Sequence, residues 1–367
     1  MPAGFPVTFS RKASVRRQEP VCSGLTKVLA MPRKKILVFI LIVGLWAGTA
    51  QPNDGEDKTS LKLNAEQQQA KEEGMRLWGL HEWIDMQPPL EEAAGAGDVE
   101  AIYYLGEANR LLDRGMSREA IDWYHRAAQG GDPHAMLRLE HGMICKLADI
   151  CPEKYEAWVD KALEQELPKA EHGDPIAMST LFDVYNMLGE PRTALDWLER
   201  AAEAGNPEAQ DWLGTITQER SGEWPPQLKD VEAAEPWFRK AAEQGYAPAI
   251  YNLVGNLIRQ EKMEAAWNWV VEGSERGHIR KRITYGFCHL APGELIDYCY
   301  PDEPDPVKGW AILHALYEET RASTAESLLE RYGERLSDEE IAEAEELAED
   351  WLNREPPLSY FPPKYGL

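Results

Sequence analysis

A five-residue mark recurs along the chain and sets what it can fold into. Gly97-Asp98-Val99-Glu100-Ala101 returns as Gly131-Asp132-Pro133-His134-Ala135, then as Gly173-Asp174-Pro175-Ile176-Ala177. It comes again as Gly205-Asn206-Pro207-Glu208-Ala209 and, more loosely, as Gly245-Tyr246-Ala247-Pro248-Ala249, with a worn copy opening at Gly277. Successive glycines stand 34, 42, 32, 40 and 32 residues apart, the period range of helical-pair solenoids. Glycine accepts the left-handed backbone that ends a helix. Asp or Asn directly after it is a good N-cap, and proline next sits where its missing N–H costs nothing. The mark therefore ends one helix and starts another with almost no loop.

Two columns run between the joints. Eight residues after each clear glycine comes a leucine, Leu105, Leu139, Leu181, Leu213 and Leu253, one turn beyond the alanine of the mark and on the same helical face. The small alanine, and Gly106 and Gly214 after the leucine, let a neighbouring helix approach closely. In the second helix of each unit, Trp123, Trp197, Trp237 and Trp269 each stand eight residues before the next glycine. A large aromatic recurring at one place in each unit reads as packing between repeats. Trp158 stands fifteen residues before Gly173; close to two extra turns keep the face, so the second helix of that unit is expected to be longer.

This Ala-x-x-x-Leu-Gly, Ala-x-x-Trp, Ala-Ala-x-x-Gly pattern resembles the Sel1-like repeat, a relative of the tetratricopeptide repeat. The resemblance covers roughly residues 95–290. It implies an all-α, right-handed solenoid of antiparallel helix pairs whose concave face holds other proteins. The repeat array is placed at 97–300, with repeats starting near 97, 131, 173, 205, 245 and 277. Residues 63–96, read as a helix over Leu63–Met86, would cap its first open face, as a solenoid requires. Residues 301–353 supply helices at the other end, read over Val307–Thr320, Thr324–Tyr332 and Asp338–Leu352, with Ser337 and Glu340 forming a capping box. Residues 354–367 form a proline- and aromatic-rich tail read as an extended, frayed terminus, with a binding peptide as the alternative.

The N-terminal fifty residues carry an address. Met31 to Lys35 are basic, Ile36 to Trp46 almost wholly apolar, and Ala47-Gly48-Thr49-Ala50 small before a polar Gln51. That is the pattern of a secretory signal peptide, 31–50, too short for a comfortable membrane span. It implies a periplasmic protein, with an uncleaved inner-membrane anchor as the alternative. Residues 1–30 read as an extension ahead of the true start at Met31, and 51–62 as a flexible linker.

The whole chain carries a formal charge of −24. Residues 1–50 hold eight of its 39 Lys and Arg and one of its 63 Asp and Glu, which leaves the remainder near −31. Such acidity argues against nucleic acid and anionic lipid and would steer a basic partner. Cys145, Cys151, Cys288 and Cys299 remain after the leader, an even number with three possible connectivities. The two close pairs each flank a break in the repeat rhythm, so Cys145–Cys151 and Cys288–Cys299 bridges would each pin an insertion. Their spacing matches no zinc pattern.

No catalytic constellation stands out. His81-Glu82 lacks the second histidine of a zincin, and neither Gly-x-Ser-x-Gly nor a phosphate-cradling loop occurs. The expectation is a monomeric, non-enzymatic scaffold for another protein, a basic or toxin-like effector, without metal, cofactor or small-molecule ligand. Within the resemblance, exported acidic Sel1-like chains are similar to immunity proteins that neutralise type VI secretion phospholipase effectors. The alternatives are a scaffold for envelope assembly or polysaccharide export, and a Sel1-like β-lactam-binding or -hydrolysing enzyme. Partner contacts are expected from one row on the first helix of each repeat, seven residues after its glycine: Tyr104, Arg138, Thr180, Trp212 and Asn252. This row mixes the aromatic, cationic and amide groups that anchor interfaces. The leader is testable directly: mass analysis of the native protein should show a terminus at Gln51 or within about three residues of it, whereas an intact Met1 or Met31 would mean a tethered protein.

Overall fold

A computed structural model of the chain describes residues 63–155, 157–219, 231–292, 294, 299, 303–362 and 364. The leader, the extension before it and the linker over 51–62 lie outside these residues. Every joint glycine takes a left-handed backbone, with φ of 91° at Gly97, 99° at Gly131, 97° at Gly173, 94° at Gly205, 88° at Gly245 and 76° at Gly277. That turn lets the next amide reach back to a carbonyl five residues earlier, Asp98 N to Ala93 O at 3.1 Å and Asp132 N to Ala127 O at 3.0 Å, a Schellman closure. The same side chains then cap the following helix. Asp98, Asp132 and Asn206 each accept from the amide three residues on at 2.8 Å. Tyr246 and His278 hold the cap position with no side-chain bond, which is why their marks look worn.

The helices run α1 Ala65–Gly79, α2 Gln87–Gly95, α3 Val99–Leu112, α4 Arg118–Gln129, α5 Pro133–Glu140, α6 Ile144–Ala148, α7 Trp158–Glu171, α8 Pro175–Met187 and α9 Pro191–Glu203. They continue as α10 Pro207–Glu219, α11 Val231–Glu243, α12 Ala247–Arg259, α13 Met263–Glu275, α14 Ile279–Leu290, α15 Pro306–Thr320, α16 Ser323–Gly333 and α17 Asp338–Glu349. Each joint opens an A helix (α3, α5, α8, α10, α12, α14). The B helices α4, α9, α11 and α13 pack back on the A helix before them, and α15 does the same to α14. The fold is an all-α repeat solenoid. Among the described residues the one strand-like feature is an isolated parallel bridge between His278 and Ser359.

The A-helix stripe is the core. Ala101, Ala135, Ala177, Ala209 and Ala249 are buried, and so are the five leucines one turn on. Gly106 and Gly214 are needed because a Cβ there would stand 2.8 Å from the ring of Tyr124 and 2.7 Å from that of Phe238.

The B column differs from expectation by one residue. Trp123, Trp237 and Trp269 are only partly buried, while Tyr124, Leu198, Phe238 and Val270, each one residue further on, are fully buried. Trp197 is buried as expected, Trp123 and Trp237 lie at the outer edge, and a cation three residues on covers each of these three rings. Arg126 sits 4.2 Å from the Trp123 ring, Arg200 3.7 Å from Trp197, and Lys240 4.5 Å from Trp237, a cation–π contact on neighbouring turns.

The second repeat is corrected in the same way. α7 has 14 residues against 12 or 13 in the other B helices, so the extra sequence does not lengthen it. It goes into a 3₁₀ turn at His141–Met143, the short α6 and a loop. Trp158 opens α7, its ring N–H donating to Ile150 O at 3.0 Å, and the core position is taken by Glu166, which pairs with Lys169 at 2.8 Å. Cys145 and Cys151 are bonded across the end of α6, with Cα atoms 4.7 Å apart. Cys288 in α14 is bonded to Cys299 in the loop before α15, with Cα atoms 5.2 Å apart.

Ahead of the repeats, the single helix expected over 63–86 is broken at Leu80–Met86. Pro88 and Pro89 have no N–H to give and so fall in a first turn, and α2 begins at Gln87. The column shift has a measurable outcome. Phe238→Ala should cost about 3–5 kcal/mol in urea unfolding and Trp237→Ala distinctly less; the opposite order would return the core to the tryptophans.

Candidate interaction surface

The A helices carry one face of exposed apolar side chains. Ile176 on α8, Trp212 on α10 and Tyr251 on α12 are 69%, 43% and 46% exposed. Side-chain contacts join the helices beneath them. The Phe182 ring of α8 stands 6.3 Å from Trp212. The Asn252 amide of α12 donates to both oxygens of Asp211 of α10, at 2.8 and 3.1 Å. Tyr251 stacks on His278 at 6.1 Å and faces Lys281 at 4.7 Å.

Of the row expected to meet a partner, the structure leaves two members within reach of one. Tyr104, Arg138 and Thr180 are buried, whereas Trp212 is exposed and Asn252 half-buried. Tyr104 is covered by Trp78 of α1, with ring centres 5.1 Å apart. The Thr180 hydroxyl donates to Ile176 O at 3.1 Å. Arg138 is held by Glu107, one A helix earlier. Its Nε donates to Glu107 Oε1 at 2.6 Å, and Arg110 approaches Oε2 at 2.7 Å. The Tyr103 and Tyr124 hydroxyls donate to the same carboxylate at 3.0 and 2.8 Å. A buried carboxylate needs such compensation, so Arg138 belongs to the interior.

The face is electrically graded. Asp183 on α8, short of hydration and next to Glu208, has its carboxyl pushed up to about 8, with Arg138 opposing. Desolvation, helped by the push of Glu208, lifts Asp211 to about 6 against the Asn252 hydrogen bond. Glu208 is raised by desolvation, with Lys364 opposing. At the α14 end the charge reverses, with Arg280 beside the buried Lys281, whose ammonium is pushed down to about 8 by burial and by Arg280.

The tail was the element least visible in the sequence. Instead of a frayed end, its described residues pack onto this face. Leu358 is buried, 3% exposed. Tyr360 N donates to Gly79 O at 2.8 Å, and the Tyr360 ring stacks on His81 at 4.4 Å. Lys364 reaches Asp132 at 3.2 Å and lies 5.4 Å from the Tyr103 ring. The signal that could have found it is the apolar alternation Leu358, Tyr360 around Ser359, a strand-like period in a helical protein.

The Sel1 repeat profile matches residues 99–132, 189–206 and 207–246, which are the first joint-to-joint unit and the stretch around the fourth and fifth joints. These are Sel1 repeats. No curated protein matches the chain. Among solved structures the chain is similar to a protective antigen of uropathogenic Escherichia coli strains displaying an SLR fold, at 21% identity and a TM-score of 0.43, covering 82% of this chain and 63% of that one. It therefore spans under two thirds of that antigen's length. It is also similar to a Sel1 repeat protein from Oxalobacter formigenes, at 19% identity and a TM-score of 0.36, over 68% of this chain and 99% of that one. A third likeness is to an immunity protein from Pseudomonas aeruginosa, at 17% identity and a TM-score of 0.40, over 72% and 84%. Among the described residues no group of His, Cys, Asp or Glu is placed to hold a metal ion, and no helix is long and apolar enough to cross a membrane.

Asp183 offers a pH test of this surface. Its folded pKa lies above the ordinary carboxyl value, so the native state keeps a proton that the unfolded chain releases. Stability from this group therefore falls as pH rises from about 4 towards about 8. Asp183→Asn removes that dependence while Glu208, Asp211 and Arg138 stay in place. Its Tm relative to the parent should rise by roughly 2 °C or more between pH 5 and pH 8; an offset constant across that range would mean that Asp183 ionises normally.

Proposed function

We propose that this protein is an exported, non-enzymatic scaffold that grips another protein with its A-helix face. More specifically, it acts as an immunity protein that neutralises a phospholipase effector of type VI secretion in the periplasm. The observation that carries the binding role is the run of exposed Ile176, Trp212 and Tyr251 on three successive A helices, bordered by Asp183, Glu208 and Asp211. Isolated surface hydrophobes need no explanation; these three stand on successive A helices that the Phe182–Trp212 and Asp211–Asn252 contacts join. The net acidity of the chain, with Asp211 ionised above about pH 6, favours a cationic partner and speeds its approach. Two disulfides suit an oxidising compartment, and the apolar leader at 31–50 would deliver the chain there.

The partner-binding test uses purified phospholipase effector and the exported protein. Trp212→Ala should weaken capture about tenfold with Tm unchanged. Arg138→Ala should instead lower stability, by about 3–5 kcal/mol, because it strips the counter-ion from buried Glu107. Capture indifferent to Trp212→Ala would move the interface off this face, and no capture or inhibition of any such effector would remove the immunity role.

A further inference from the structure

The tail lies in a cleft between the A-helix face and the end of α1, and three kinds of contact hold it there. The first is main-chain. Ser359 N donates to Gly277 O at 2.9 Å, Ile279 N donates to Ser359 O at 3.2 Å, and Tyr360 N donates to Gly79 O at 2.8 Å. The cleft thus offers backbone groups left over at helix ends, which pair with any extended chain. Two glycines keep the approach open. A Cβ at Gly277 would collide with the Pro357 carbonyl, and one at Gly79 would stand 2.7 Å from Ser359 Oγ.

The second is aromatic. His81, held at a left-handed φ of 64°, stacks on Tyr360 at 4.4 Å, and His278 meets the Phe361 ring at 5.7 Å. The third is ionic. Lys364 pairs with Asp132 at 3.2 Å, lies over the Tyr103 ring at 5.4 Å, and is near enough to Glu208 to counter its desolvation. The Tyr103 hydroxyl also lies against the Lys364 carbonyl, its one proton shared between that oxygen and Glu107.

The occupant fits incompletely. Only Leu358 is sunk in the core; Ser359 to Pro362 and Lys364 stay half-exposed. Beside Tyr360 and Phe361 a cavity of about 350 Å³ remains, walled by Pro248, Tyr251, Asn252 and Arg280. The buried His278 Nδ1 finds no partner among the described residues. Main-chain pairing with sockets for particular side chains is how domains receive extended peptides.

We propose that this cleft is a receptor for an extended protein segment bearing an aromatic pair, proline and then lysine, and that the chain's own tail occupies it as a resident ligand that a partner segment of the same chemistry displaces. The proposal rests on the binding role given above and names the partner's chemistry. Displacement removes the half-exposed contacts from Ser359 onward and leaves Leu358 anchored, so opening is local. A tethered ligand competes at an effective concentration in the millimolar range, so weakening the tail in cis should expose the cleft to a free peptide.

The test uses the full chain and a fluorescein-labelled peptide, LSYFPPK. The Tyr360→Ala/Lys364→Ala double variant should bind the peptide at least about tenfold more tightly than the parent, and replacing the peptide lysine by alanine should cost about fivefold or more. A folded double variant that ignores the peptide, or parent and variant binding the lysine and alanine peptides alike, overturns the proposal. A variant that fails to fold is covered by hydrogen exchange on the parent. The Tyr360 amide should exchange at least about a hundredfold faster than amides in the middle of α12, and equal protection would make the tail a fixed part of the fold. Loss of effector capture in Trp212→Ala alongside failure of the peptide would spare the binding role and discard the resident ligand.

Discussion

The helix joint governs this molecule. A left-handed glycine between two cap residues leaves only three residues between the end of one helix and the start of the next, so each repeat inherits its angle from backbone chemistry rather than from a loop. Once that angle repeats, the alanine and leucine of each A helix face the same way. The missing side chains at Gly106 and Gly214 then admit the Tyr124 and Phe238 rings. Everything that bears on function follows from the residual face of the A helices, which the joint sets in register.

Features that depend on local chemistry were legible in the sequence. The positive φ of Gly97 and Gly131, the capping by Asp98, Asp132 and Asn206, and the buried Ala101 and Leu105 all follow from residues within a few positions of one another. The B column misled at Trp123, Trp237 and Trp269 because there the conspicuous residue is not the buried one. Adjacent residues on a helix point about 100° apart, and the core position is filled by Tyr124, Glu166, Leu198 and Phe238, too mixed a set to show a period. Trp123 and Trp237, each with its cation three residues on, mark the edge of that core.

The candidate surface was harder to read because burial there depends on distant partners. Arg138 looks like a free cation on a helix face until Glu107, 31 residues away, is seen to hold it. Tyr104 is covered by Trp78, a residue outside the repeats. The tail was hardest of all. Its seat is built from Gly79, His81, Tyr103, Asp132 and Gly277, and no spacing along the chain reveals that these converge.

That convergence changes how the array should come apart. A linear solenoid holds each repeat only through its neighbours, so its ends fray first and unfolding propagates inward. Here a segment that follows the last helix is bonded to the end of the first helix at Gly79 and to the sixth joint at Gly277. Its lysine reaches the second joint at Asp132. Terminal repeats tied together in this way lose their independence, and fraying at one end removes contacts at the other. While the tail is seated the ladder therefore loses part of its end-to-end independence, and local release of the tail from Ser359 onward restores it.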